Sequence, residues 1–361
     1  MATAIRRPRA GGERRAHKVG TPANRVSCLN KNVRHSPALH FGAMTTAAME
    51  RRWLHAVVDR ETRLFKLYNV LMYGGFGAFY FYSGLLLARR GVNGALLGAV
   101  LAMRPAVGLI ATPLWTALAD AYDMHRTLLC LSLVAGSSSR LLYVLLPPTP
   151  LPLIAGAFAS EFLVCAIVPL SDGLTFVGLE RLGRSREEYA LQRLWGAASI
   201  GWVVLPVVGG LLTASPREYE WHIVLAVHIG LCSLAALVPI WSVGQSFAPH
   251  SEGDGGDCRR RGTPSRCSRL LALRRLHPHV TDFARCVVFF ACGAFHAATE
   301  GYLFLYLDAL HATEVLDGVA ITLTCVSEVI VMALASRVRA LLGVDGCLVL
   351  VCLCYVLRFI G

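Results

Sequence analysis

From Leu64 onward the sequence alternates long apolar blocks with short polar ones. Blocks near Leu67–Leu87, Leu96–Leu118, Thr127–Leu146, Leu151–Leu170, Leu194–Thr213 and Ile223–Val243 approach or reach the length of roughly 20 residues that an α-helix needs to cross a bilayer. A hydrophilic stretch containing EGDGGDCRRRG follows. Three further blocks then appear near Cys286–Leu307, Val315–Ala335 and Cys347–Gly361. The pattern predicts an all-α polytopic membrane protein with six helices, a loop and three more. The domains are a tail over residues 1–63, a six-helix bundle over 64–243, a central loop over 244–282, and a partial second bundle over 283–361. The last block stops inside its apolar pattern without a polar exit, so the expectation is a chain cut short within its second group of helices.

Composition agrees with this pattern. Hydrophobic residues make up 55% of the 361 and charged residues only 16%, against about 25% charged in soluble domains, and the mean hydropathy is +0.53. A net charge of +12 would ordinarily raise the question of nucleic acid. Here the basic residues gather in the tail and in short stretches between apolar blocks, which is a topology signal and implies no nucleic-acid partner. The twelve cysteines are scattered, mostly within apolar blocks. They lack the paired spacing of a metal site, so no metal or other cofactor is expected.

Residues 1–63 are rich in Arg and Lys, poor in acids before Met49 and punctuated by Pro, Gly and Ser. They read as a disordered cytosolic tail. An organelle transit peptide is the other reading of that composition, and Met44 and Met49 are alternative starts. Orientation follows from the loops. Arg126, the group Arg181, Arg184, Arg186 and Arg193, the central arginines from Arg259 to Arg275, and Arg337 with Arg339 fall on one side, whereas Arg89, Arg90 and Arg217 fall opposite. The excess marks the cytosolic side, so the N-terminus is inside. Plasma membrane and organelle membrane both fit.

Six helices, a long basic loop and further helices resemble the layout of the major facilitator superfamily, whose two six-helix halves surround a substrate path. The loop after the second block, PLWTALADAYDMHR, is similar to the superfamily signature G-x-L-A-D-R-x-G-R-R. Leu118, Ala119 and Asp120 are on the pattern and Arg126 is in the basic region, while Thr116, Ala121 and Asp123 replace the usual Gly, Arg and Gly. The resemblance implies a cytoplasmic gating loop around Asp120 and Arg126. The runs PLSDGLTFVGLE, RLWGAASIGW and FLYLDALHATEVLDGVAITLTCVSEVIV look like the branch of major facilitator superfamily domain-containing protein 6, grouped with bacterial lactose and nucleoside proton symporters. They carry a motif of the fourth and fifth helices around Asp172, Arg193 and Trp195. The resemblance covers about Leu64 to Gly361 and implies alternating access without naming a substrate.

Ionisable residues inside apolar spans are the leads to chemistry, because a charge at the bilayer centre costs at least ~2.5–3.5 kcal/mol unless it faces a cavity or a partner. At about 1.5 Å rise per residue, Arg104, Arg140 and Glu161 in the second, third and fourth blocks lie at one depth. They form either a solute site with Glu161 as the coupling group or a fixed ion pair holding helices together. In the seventh block His296 and Glu300 are four residues apart and share a face, which suits a proton relay or an interhelical hydrogen bond. Glu328, beside Ser327, is the next coupling candidate. Asp172 falls near the same face as Glu161 but closer to the cytosol, and Pro169 before it is positioned to kink the helix. Arg193 and Trp195 also suit a membrane-interface anchor, and His228 suits a core histidine.

These residues point to a secondary or facilitative transporter of a small polar solute, with protons as a second partner and the lipid bilayer around it. A non-transporting receptor or scaffold of the same fold is the alternative. A membrane-embedded enzyme is less favoured, since the sequence has no H-E-x-x-H and no G-x-S-x-G, and the lack of a Gly-rich phosphate loop disfavours ATP-driven pumping.

Overall fold

The computed structural model describes residues 59–92, 94–241 and 280–360. The expected tail and central loop lie almost wholly outside the described residues. Among the described residues no strand occurs, and nine helices are long and apolar enough to cross a membrane. A helix is the natural solution for such blocks, because backbone N–H and C=O groups in hydrocarbon must be satisfied within the segment.

The spans are α1 (Arg63–Arg89), α2 (Gly94–Tyr122), α3 (His125–Leu145), α4 (Pro150–Arg181) and α5 (Tyr189–Ala214). After them come α6 (Glu220–Trp241), α7 (Val280–Ala309), α8 (Val315–Ala335) and α9 (Arg337–Arg358). Each corresponds to one apolar block. The last two follow each other inside one helical run, Glu314–Ile360, broken at Gly343 with φ 68° and ψ −177°. The polar gap expected after Ala335 is therefore helical, and the chain reverses at a glycine because that backbone conformation excludes a Cβ.

α1 is the interior helix, with 72% of its apolar window buried against 22% for α2. It packs on α5, α6 and α7. Small residues make this approach possible. A Cβ at Gly75 would stand 2.8 Å from Cys232 Sγ and 3.2 Å from the His228 carbonyl of α6, and one at Gly77 would stand 3.0 Å from Ile200 of α5. His228 itself is fully buried, with Nδ1 2.8 Å from the Gly75 carbonyl, so its partner lies across the α1–α6 contact.

Proline shapes three of the helices. Pro169 has no N–H to give the Cys165 carbonyl four residues back, and α4 breaks at Cys165–Ala166. The freed carbonyl accepts from Thr112 Oγ1 of α2 at 3.4 Å. In α5 the residues Ser199–Val204 form a π-turn segment, whose Gly201 carbonyl would look for the N–H of residue 206, a proline. Thr322 of α8 donates to that carbonyl at 2.5 Å instead, tying the first group of helices to the second. Pro105 and Pro113 lie within α2. α9 runs parallel to α7: Arg285 pairs with Asp345 at 2.9 Å, 60 residues apart, and Phe295 meets Tyr355 at the same separation with ring centroids 6.2 Å apart.

Candidate functional site

A cavity of about 380 Å³ lies between α1–α5 and α7–α8. One wall is aromatic, from Tyr73, Phe76, Tyr80 and Phe81 of α1. Around it stand Arg104 of α2, Arg140 of α3, Glu161 of α4, Arg193 of α5, His296 and Glu300 of α7, and Glu328 of α8. Six positions singled out from the sequence, together with Arg193, thus converge on one space from six helices.

Arg140 and Glu161 are 4% and 5% exposed and form a two-pronged ion pair. Arg140 Nη1 donates to Glu161 Oε1, and Nη2 donates to Oε2 at 3.1 Å. Their convergence has a local cause. The π-turn segment Ser132–Gly136 and the break after Ser139 re-aim the end of α3, and Gly136 lets α4 approach, its Cβ position lying 3.0 Å from Val164. Tyr143 Oη donates to Glu161 at 3.4 Å. Arg104 Nε stands 3.6 Å from the same carboxylate, while its other nitrogens reach Ser83 Oγ and the Tyr80 carbonyl. Both guanidiniums lie near aromatic faces, Arg104 4.2 Å from the Tyr80 centroid and Arg140 4.8 Å from that of Phe79, which partly replaces lost hydration. Arg140 Nε is buried without a hydrogen-bond partner.

The opposite side is built differently. His296 Nε2 is 3.3 Å from Glu300 Oε2, one turn apart on α7. Among the described residues, no Arg or Lys nitrogen lies within ion-pair distance of Glu300 or Glu328; Arg358 and Arg193 act on them only at longer range. Thr299, Ser327 and Thr324 spend their hydroxyls on helix carbonyls of Phe295, Thr324 and Ala320.

Arg193 reaches the cavity from the opening turns of α5. Its Nη1 donates to Tyr189 Oη at 3.1 Å, Tyr189 Oη donates to Asp172 at 2.5 Å, and Arg193 and Asp172 are 3.7 Å apart. Its guanidinium stands 5.0 Å from the Tyr73 ring centroid, and the buried Tyr73 hydroxyl has no hydrogen-bond partner among the described residues. Trp195 is half-buried outside the lining. Asp120 and Arg126 lie away from the cavity, at the α2–α3 turn. Asp120 is exposed and 2.9 Å from His125 Nε2, and Arg126 is half-buried. In that turn Asp123 holds φ 54°, the left-handed conformation for which the family signature uses glycine and which Asp tolerates better than most side chains.

The sequence reading did not assign the aromatic wall or Ser83. Among the described residues no group of three or more His, Cys, Asp or Glu side chains is arranged to hold a metal ion.

The family model described as the MFS_1 like family matches residues 62–361. Maltose permease of Geobacillus stearothermophilus is 31% identical over 175 residues, covering 48% of this chain and 41% of the permease. The match therefore spans less than half of that relative's length. No solved structure matches the chain.

Proposed function

The chain belongs to the MFS_1 like family, and from that premise we propose that it is a secondary transporter moving a small polar solute by alternating access. The observation carrying this reading is a cavity where Arg104, Arg140 and Glu161 from the first group of helices face His296, Glu300 and Glu328 from the second. A carrier needs a central site whose two sides belong to bodies that rock against each other. Likeness to a maltose permease supports transport in general. The grouping with the domain-containing protein 6 branch rests on the runs around Asp172, Arg193 and Glu328, and the N-terminus is assigned to the cytosol from loop arginines.

Proton coupling is assigned to the α7–α8 side. Glu300 has an imidazole as its near partner, which is suited to passing a proton. Glu161, held by two arginines, is assigned to solute binding and to the mutual position of α3 and α4. On the side assigned as outer, Arg89 of α1 bridges Glu220 at 2.8 Å and Asp308 of α7 at 2.9 Å. The Arg89–Asp308 pair is a breakable link between the two groups and suits a gate. Asp120 and Arg126 are assigned to gating at the opposite face.

The test is reconstitution of the full chain in proteoliposomes with radiolabelled small polar solutes, beginning with maltose. Wild type should show both counterflow and accumulation driven by an imposed proton gradient, and Glu300→Gln should keep counterflow at raised solute concentration and lose the accumulation. Unchanged accumulation in Glu300→Gln removes that residue from coupling. Absence of flux for every solute overturns transport in favour of a ligand sensor of the same fold.

A further inference from the structure

We infer that the solute taken by this cavity is a zwitterion, its anionic group held by Arg104 and Arg140 and its cationic group by Glu300 and Glu328. The inference rests on the transport reading only in taking the cavity as the solute site.

The argument starts from how charge is divided around the space. On the α2–α4 side two arginines share one carboxylate, Glu161, which leaves one positive charge in excess. Arg140 also keeps a buried Nε that nothing in the described protein satisfies. A buried donor without a partner costs about 1–3 kcal/mol, and a ligand oxygen able to fill it recovers that cost on binding. On the α7–α8 side two carboxylates, Glu300 and Glu328, line the cavity; Glu300 stands 3.3 Å from His296, and among the described residues no arginine or lysine is in ion-pair range of either, Arg358, Arg104 and Arg193 acting on them only at longer range, so carboxylate predominates on this side. Arg193 does not cancel it, because its own near acidic partner is Asp172.

Neither side is satisfied alone, and the two sides are opposite in sign. A simple anion would be drawn to the arginines and repelled by the paired carboxylates, and a simple cation would meet the reverse. A neutral sugar would leave the charges of both sides without a counter-charge. A molecule carrying both charges completes both sides at once. The aromatic wall supplies an apolar surface for the stem between them, and a volume of about 380 Å³ sits in the range of small-ligand pockets.

The experiment uses the purified full chain in lipid nanodiscs near neutral pH and reads binding as the shift in thermal unfolding temperature with ligand concentration. The probes are glycine, 4-aminobutyrate and 6-aminohexanoate, matched against hexanoate, hexylamine and maltose. At least one zwitterion should bind about tenfold or more tightly than the acid, the amine and the sugar, since each lost charge-assisted contact is worth about 1.5–3 kcal/mol. Replacing both carboxylates, Glu300→Gln with Glu328→Gln, should bring the zwitterion down to the level of hexanoate. Equal or tighter binding of hexanoate, hexylamine or maltose overturns the inference, as does the absence of binding by every zwitterion. Flux of maltose without zwitterion binding would sink this inference and spare transport. Zwitterion binding without flux would spare the inference and sink transport.

Discussion

Arg140 on α3 holds both carboxylate oxygens of Glu161 on α4, with Arg104 of α2 standing 3.6 Å away as a second cation. Three helices are thereby joined at one point beside the cavity. Leaving one charge of a buried pair without its partner costs about 3–5 kcal/mol, while replacing both by apolar groups is often neutral. Glu161→Gln should therefore lower the unfolding midpoint in detergent markedly, and the double replacement Arg140→Met with Glu161→Met should recover most of it. Equal loss in both variants would mean that the pair carries net stability of its own.

The α1–α6 contact depends on Gly75. A methyl group there meets Cys232 Sγ at 2.8 Å and backbone atoms at 3.2 and 3.3 Å, so the helices must move apart. Gly75→Ala should destabilise by about 1–3 kcal/mol, the usual range for overpacking. Gly173→Ala on α4, where a Cβ has open space, should stabilise slightly, by up to about 1 kcal/mol. Parallel unfolding curves of the two variants check the contrast.

Gly343 holds a backbone conformation reserved for glycine, with φ 68° and ψ −177°. Gly343→Ala should cost about 1–3 kcal/mol at the break within the helical run Glu314–Ile360. The loss should show as weaker crosslinking between Cys292 and Cys352, whose thiols lie in contact across α7 and α9. Unchanged crosslinking would mean that the neighbouring residues absorb the strain.

Asp308 is 44% exposed while its partner Arg89 is 17% exposed. As an exposed pair it contributes little to stability, at most about 1 kcal/mol, but it links α1 to α7. Asp308→Asn should leave the unfolding temperature almost unchanged and make the cavity more accessible from the face that carries Arg89. A large loss of stability with no gain in accessibility would assign the pair a structural role.

The spans were legible because hydropathy reports the free energy of placing each block in lipid, and each of the nine blocks corresponds to a helix among the described residues. The depth argument also worked for Arg104, Arg140 and Glu161, since rise per residue fixes height along a helix. What a linear pattern does not encode is rotation about each helix axis. Arg193 was therefore singled out for its motif and its place at the start of α5 and not for the cavity it lines, and Tyr80 and Ser83 went unassigned although they receive Arg104. The π-turn segments of α3 and α5 were hidden for a related reason. The carbonyl freed in α5, that of Gly201, is met by Thr322, 121 residues distant. The continuation of helix past Ala335 was masked by Arg337 and Arg339, whose charges resemble a loop by composition.

The most direct test of the central claim, that this cavity is a path with alternating access, uses a residue already in place. Cys165 lines the cavity as a free thiol. Labelling by a membrane-impermeant maleimide can be measured on right-side-out and inside-out vesicles of the full chain, with Cys165→Ser as the blank. The account predicts Cys165-dependent labelling from both sides, with the side of Arg89 enhanced by Asp308→Asn. Labelling from one side alone, unchanged by that substitution, would contradict it and leave a one-sided binding pocket.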